Sequence, residues 1–242
     1  MSRAWLRCDG ALLIADPAGA LVWPEQSLVV VADLHLEKGS ALACRGTLLP
    51  PYDTCSTLAR LENVLLRWRP QRVISLGDGF HDARALARLA LEDRCRLAEL
   101  VAAHDWLWIT GNHDPQPPSD LGGRSEEAVE IAAILLRHVP EPRPDRAEVA
   151  GHLHPAAGIT VRGRRLRRRC FVGDDRRLLL PAFGSYAGGL DVFDPAISGL
   201  FENGFRAALL GERSVHTVSH HRLDRPGAEQ WNGRGRMTRA RW

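Results

Sequence analysis

Leu28-Val29-Val30-Val31-Ala32-Asp33-Leu34-His35 is the stretch that decides the fold. Its first five residues are apolar without a break, as suits a strand covered on both faces inside an α/β layer stack. An acid and a histidine two residues apart follow where the strand gives out. Alternate side chains of extended chain share a face, so Asp33 and His35 can grip one object from one strand end.

The pattern recurs downstream. Arg72–Leu76 reads as a second strand and runs into Gly77-Asp78-Gly79-Phe80-His81-Asp82. Residues 106–110 read as a third and run into Gly111-Asn112-His113-Asp114. His138 stands just past the apolar run Ile134–Arg137, and Gly151-His152-Leu153-His154 follows a short strand at 148–150. Glycines at 77, 111 and 151 would allow tight turns directly before the polar residues.

Helical periodicity fills the gaps. After Pro50-Pro51, Asp53 is placed to cap a helix carrying Leu58, Leu61, Leu65 and Trp68, which Pro70 stops. A second helix is expected over residues 83–104, with Leu86, Leu89, Leu97 and Leu100 in its stripe. Strand, helix, strand, helix, strand implies a largely parallel sheet with helices packed on it, and ligands of such sheets bind at the carboxyl ends of the strands.

Residues 11–14 and 20–23 read as an opening β-hairpin around Ala15-Asp16-Pro17-Ala18-Gly19. After Asp114 comes a Pro/Gly-rich loop at 115–123. Strands and hairpins then dominate, with strands expected near 134–137, 148–150, 158–162, 168–172 and 177–180. The expected organisation is one domain over residues 1–224 and an Arg/Gly-rich, mobile tail over 225–242.

With 242 residues, 45% hydrophobic and 25% charged, the chain can bury one substantial core. No apolar run reaches membrane-spanning length and residues 1–10 lack a signal-peptide layout, so a cytoplasmic location is expected. The cysteines at 8, 44, 55, 95 and 170 show no CxxC spacing, which argues against a disulfide framework or zinc knuckle. The net charge of +3 imposes no nucleic-acid partner. Six of the eight residues from 162 to 169 are Arg, and such patches attract phosphate-rich partners. Lys38 is the only lysine, however, so a bias toward arginine explains much of this. A solvated hairpin edge is the default reading of the run, and DNA contact the alternative.

Two Asp, one Asn and four His suit borderline divalent ions, because carboxylate and amide oxygens suit hard cations and imidazole suits Mn, Fe or Zn. Each piece alone is commonplace; in this order, each after a strand, they form one signal. Together they resemble the ordered motifs of the calcineurin-like metallophosphoesterase superfamily. That resemblance implies a four-layer αββα sandwich, in which two mixed β-sheets are flanked by helices. It implies two divalent ions, Mn²⁺ foremost with Fe²⁺ and Zn²⁺ as alternatives. One ion would be held by Asp33, His35, Asp78 and His154, the other by Asp78, Asn112, His138 and His152, with Asp78 bridging. His216, His220 and His221 compete with His138 but fall out of order. The resemblance also puts His113 beside the leaving oxygen as general acid or charge stabiliser, with His81 or Asp82 orienting or supplementing it. Asp114 would hold the loop or His113. Where the superfamily often has Asp, three residues past the bridging Asp, this chain has His81.

Leu180-Pro181-Ala182-Phe183-Gly184-Ser185-Tyr186-Ala187-Gly188-Gly189-Leu190-Asp191, with Gly151-His152-Leu153-His154-Pro155 and the opening hairpin, is similar to the bacterial ligase-associated DNA damage response endonuclease (PdeM) family. A glycine-rich turn between strands is the plain reading of the same segment. The resemblance implies a DNA substrate, with functional association with an ATP-dependent DNA ligase, a helicase and an exonuclease-like protein. The expected function is thus a dinuclear-metal-dependent phosphodiesterase or endonuclease acting on DNA in repair, by attack of a metal-activated water on phosphorus. Small-molecule phosphoesterase on a nucleotide or cyclic nucleotide is the alternative, because one scaffold serves many esters. A non-catalytic scaffold would be expected to have lost ligands, and every ligand position is filled.

Overall fold

The computed structural model describes residues 4–116 and 119–226. A seven-stranded sheet holds β1 (Ala4–Cys8), β2 (Ala11–Ala15), β3 (Leu21–Trp23), β4 (Leu28–Ala32), β5 (Arg72–Leu76), β6 (Asp105–Ile109) and β7 (Arg124–Glu126), side by side in chain order. Strands β1 to β4 are antiparallel neighbours, and β4 to β7 run parallel. The second sheet contains β8 (Ala128–Ile131), β9 (Ile134–Arg137), β10 (Ala147–Ala150), β11 (Pro155–Val161), β12 (Arg164–Gly173), β13 (Arg177–Leu179), β14 (Leu190–Asp191), β15 (Arg206–Leu210) and β16 (Val215–Ser219). Its main path is β14-β11-β12-β13-β10-β9-β8, with β15 and β16 added beside β12. The helices are α1 (Lys38–Ala43), α2 (Asp53–Trp68), α3 (Ala85–Arg88), α4 (Leu91–Ala102) and α5 (Pro195–Ser198). None is long and apolar enough to cross a membrane.

Alternation along β4 shows how the layers form. Leu28, Val30 and Ala32 face the other sheet, meeting Ile134, Leu136, Val149, Phe171 and Leu178 in the central core. Val29 and Val31 face outward and pack with Leu58, Leu61 and Leu65 of α2 and Leu97 and Val101 of α4. The far face of the second sheet is closed by Val192, Ile197, Phe201, Phe205 and Leu223. This is the expected α/β sandwich of two mixed sheets, and its fourth layer is one four-residue helix supported by loops.

Several local expectations need correction. Ala4–Cys8 adds a strand outside the opening hairpin, paired with β2 from Ala4↔Ala15 to Cys8↔Ala11. Asp53 is the first residue of α2, not its cap, and its carboxylate accepts the Gly39 N–H at 2.8 Å, tying α1 to α2. The helix expected over 83–104 breaks where Leu89 and Ala90 turn extended. Neither Gly nor Pro marks the break, but Glu92 and Asp93 supply the negative charge favoured at the new N-terminus. In the second sheet, β9, β10 and β13 lie parallel, where hairpins were expected. That parallel set brings the carboxyl ends of β9 and β10 together. Of the proposed tail, residues 227–242 lie outside the described residues.

The arginine run forms the β11–β12 hairpin, whose turn residues Arg162 and Gly163 both have positive φ, as tight hairpins favour. Arg164, Arg165, Arg167 and Arg168 are exposed, in keeping with a solvated element. Arg169 departs from this, donating inward to the carbonyls of Ala182 and Gly184 at 2.7 and 3.2 Å.

One charged pair lies inside the second sheet. Arg177 Nε donates to Glu148 Oε1 at 2.6 Å, with side chains 3% and 0% exposed. The guanidinium also donates to the carbonyls of Leu200 and Glu141. Removing one member strands a buried charge. Arg177→Ala should therefore lower unfolding free energy by about 3–5 kcal/mol. Arg72→Ala, at an exposed pair, should cost less than about 1 kcal/mol. Urea unfolding of both variants checks this, and equal effects would contradict it.

Candidate metal centre

Strand pairing continues past the strand ends and fixes the loops that carry the polar residues. Beyond β4 and β5, the N–H groups of Asp33, His35 and Leu36 donate to the carbonyls of Gly77, Asp78 and Gly79 at 3.2, 2.9 and 3.0 Å. The chain leaving β13 joins the same edge, with Phe183 N–H on Ala32 O and Gly184 N–H on Asp33 O. From the second sheet, Gly151 N–H donates to His138 O at 3.0 Å. The carboxyl ends of β4, β5, β6, β9 and β10 thus meet in one place.

Three donor groups result, and two of them hold a carboxylate, Asp33 with His35 and His154, and Asp78 with His138 and His152; the third is His35 with His81 and His113. In the first, His35 Nε2 lies 3.3 Å from His154 Nε2, which lies 3.1 Å from Asp33 Oδ1. In the second, His138 Nε2 lies 3.3 Å from His152 Nδ1, 3.0 Å from Asn112 Oδ1 and 3.4 Å from Asp78 Oδ2. Asp78 Oδ2 also lies 3.8 Å from His35 Nε2, so this carboxylate faces both groups. His113 N–H donates to its other oxygen at 2.9 Å.

The donor chemistry fits divalent cations. His138 Nδ1 donates to Leu76 O at 3.1 Å, which turns Nε2 toward oxygens and another ring nitrogen, and although burial opposes it, the contact with Asp78 and the charges of Asp33 and Asp78 raise the affinity of this ring for a proton. Such a convergence of acceptors needs a positive charge at its centre, and a carbonyl that fixes the tautomer of a histidine is the usual support of a metal ligand. Burial holds His35 down to about 3, assisted by the neighbouring His154, so its ring is neutral and able to ligate. Burial by itself would raise Asp78, but the hydrogen bond from His138 and the charges around it outweigh that and bring it to about 2.

Backbone conformation marks the same residues. Asp33, His35, Asp78, His152 and His154 all have φ between 43° and 67°, a left-handed region that non-glycine residues enter at a cost and that clusters at functional sites. The glycines work differently from the expected tight turns. Only Gly77 has a positive φ, +74°, and a Cβ there would fall 2.1 Å from His138 Nδ1. Gly111 and Gly151 provide close approach, since a Cβ would lie 2.2 Å from Asp78 Oδ1 and 2.7 Å from Asp33 Oδ2 respectively.

The remaining candidates take distinct places. His113 is exposed, and its Nδ1 donates to His81 O at 2.8 Å, which turns Nε2 away and leaves it free. The His81 ring stacks on His113 with centroids 5.1 Å apart, and its Nδ1 lies 3.5 Å from Nδ1 of His35. Burial, then the charge of Lys38, lowers His81 to about 4. In the tautomer that carries its proton on Nε2, the neutral ring accepts the outer N–H of His35. Asp82 is turned away, held by Arg88 at 2.9 and 3.0 Å and by Arg84 N–H at 2.8 Å. Asp114 Oδ2 accepts Phe80 N–H at 2.9 Å and so holds the loop. His220 lies elsewhere, with Nδ1 at the Phe205 backbone, and His216 pairs with Ser214. The sequence reading missed Lys38, Arg45 and Arg84 beside the site, and no motif flags them.

Fold and donor set together mark a phosphoesterase or nuclease, with a His/Asp cluster suited to divalent metal. Among solved structures, the nuclease MPE of Pseudomonas putida is similar over 90% of this chain and 100% of its own, at 27% identity and a TM-score of 0.70. The phosphoesterase YfcE of E. coli is similar over 79% of this chain and 98% of its own, at 15% identity and a TM-score of 0.42. No family model and none of the curated proteins matches the sequence.

The His81–His35 contact generates a measurable outcome. Loss of an outer hydrogen-bond partner of a ligating histidine weakens metal binding by about 10–100-fold. His81→Ala should show that loss in Mn²⁺ titration calorimetry with far-ultraviolet dichroism unchanged, and His81→Gln, which returns an acceptor oxygen, should recover much of it. Wild-type affinity in His81→Ala would mean that His35 is oriented by other groups.

Proposed function

We propose that this chain is a dinuclear-metal-dependent phosphodiesterase that cleaves DNA as an endonuclease, in a repair context. The observation that carries the reading is the likeness to the P. putida nuclease over nine-tenths of the chain, joined to the His/Asp donor cluster. Asn112 and His113 are exposed at its mouth, which suits a long polymer that cannot enter a closed cavity. Mn²⁺ is the cation we assign, because the set mixes imidazole with carboxylate and amide oxygens.

In this reading one ion is held by Asp33, His35, Asp78 and His154, and the other by Asp78, Asn112, His138 and His152. Two divalent cations held there supply an acidified water and neutralise charge on the attacking and leaving oxygens of an in-line displacement. The protein groups do the rest. Asp78, fixed by His113 N–H, stands between the two donor groups. His113, pinned through Nδ1 to His81 O, presents Nε2 to the leaving oxygen, and in its imidazolium form, with both ring nitrogens protonated, it gives that oxygen the Nε2 proton as the P–O bond breaks and is left neutral. His81 acts by holding His35 and by lending its carbonyl to His113, whereas Asp82 anchors Arg88.

The test is hydrolysis of bis-p-nitrophenyl phosphate and of single- and double-stranded DNA with Mn²⁺. His113→Ala should lower kcat on DNA by about 10²–10⁴-fold, the usual contribution of a positioned proton donor. It should lower kcat far less on the nitrophenyl ester, whose leaving group departs without a proton. Asp78→Asn should remove both activities. Diester hydrolysis without DNA cleavage would move the substrate to small molecules, and no hydrolysis of either by metal-loaded wild type would refute the assignment.

A further inference from the structure

A hollow of about 620 Å³ lies beside the metal centre, between α1 and α3. Arg45, Arg84, Arg88, Asp82 and Cys44 are among the residues that line it. Its charges are unequal in what they leave over. Arg88 is spent internally, on both oxygens of Asp82 and, through Nε at 2.9 Å, on Ser40 Oγ. Arg45 and Arg84 are exposed, and among the described residues neither has a carboxylate within ion-pair distance. The hollow therefore carries two uncompensated positive charges. Lys38, half-buried in the first turn of α1, adds to the same field.

This hollow adjoins the centre through the chain that forms its wall. Asp82, in its wall, directly follows His81, whose ring stacks on His113 and contacts His35. Lys38 and Arg45 are near enough to the His81 ring for their charges to act on it. An anionic group resting against Arg45 and Arg84 would thus be a near neighbour of an ester at the His113 side of the centre.

A single small phosphodiester has one phosphate and nothing to put there. A nucleic-acid strand has further phosphates on either side of the scissile one, spaced by about 3.4 Å of axis per nucleotide when stacked. Guanidinium groups suit phosphate oxygens, and contacts of this kind set position and affinity without reading sequence. We infer that the Arg45–Arg84 hollow is the subsite for a flanking phosphate of a nucleic-acid strand cleaved at the metal centre. The inference rests on the nuclease reading given above and names residues that make the site prefer a polymer to a small ester.

The experiment uses the full chain loaded with Mn²⁺, as wild type, Arg45→Gln, Arg84→Gln and the double variant. Two quantities are read: kcat/KM on a single-stranded oligonucleotide relative to bis-p-nitrophenyl phosphate, and the slope of log affinity against log salt for the same oligonucleotide by fluorescence anisotropy. Each single substitution should lower the kcat/KM ratio about tenfold, chiefly through KM, as expected for one charge-assisted contact. The salt slope should become shallower by about 0.7 per arginine removed. An unchanged ratio with an unchanged slope overturns the subsite while leaving the nuclease reading intact, since wild type still cuts DNA. An equal fall on both substrates also overturns it, because the arginines would then support the centre itself. If wild type hydrolyses the small ester but never DNA, the nuclease reading fails and the subsite with it.

Discussion

The constraint on which the rest depends is the convergence of lone pairs at Asp78. Its carboxylate is 2% exposed and faces His35 on one side and His138 on the other, at 3.8 and 3.4 Å. Around it, ring nitrogens approach one another to 3.3 Å in two separate pairs. No arrangement of neutral side chains makes such a place comfortable, because acceptors repel and burial removes the water that would screen them. Positive charge makes it stable, and the fold's task is to hold the acceptors together until that charge is bound.

Both sheets share this task. The first sheet contributes the ends of β4, β5 and β6, locked by continued pairing of the Asp33 and Asp78 loops. The second contributes His138 and the His152–His154 turn, brought to the same end because β9 and β10 run parallel. The central core between the sheets, with Val30, Ile74, Leu136, Val149 and Phe171, therefore sets the distance between donor side chains that lie more than a hundred residues apart in sequence. The costs are local: left-handed backbone at five of the polar residues, and glycines where a methyl group would strike a ligand.

Much of this was legible in the sequence, for a physical reason. Each metal-ligand candidate follows an apolar strand, and strand ends in α/β layers are where loops converge, so order and spacing sufficed to collect Asp33 through His154. What escaped notice had no periodic or compositional mark. Helix α1 contains Gly39 and Ser40 and is held by tertiary bonds, Asp53 to Gly39 N–H and Glu37 to Thr54 and Ser40, not by an apolar stripe. The break at Leu89–Ala90 lacks any breaker residue, so the leucine period reads straight through it. The close approach required at Gly111 and Gly151 is a fact of packing, and a glycine in sequence looks the same whether it serves a turn or a contact. Arg45 and Arg84 meet only because α1 and α3 do, and in a chain rich in arginine neither stands out alone.

The histidine at position 81 shows how one residue can shift the balance of the whole centre. A carboxylate there would carry a full negative charge next to His35, raising the basicity of that ligand and cancelling part of the positive charge of bound cations. A neutral imidazole protonated on Nε2 still accepts the outer N–H of His35, but adds no charge. Asp33 and Asp78 are then the two carboxylates within the donor groups, too few to neutralise two divalent ions if both are bound as proposed. A centre loaded in that way would keep a net positive charge at its mouth, beside Lys38, Arg45 and Arg84. A field of that sign draws in anions and weakens with salt. It favours substrates bearing several phosphates over substrates bearing one, so the choice of histidine at 81 and the unpaired arginines beside it act in the same direction.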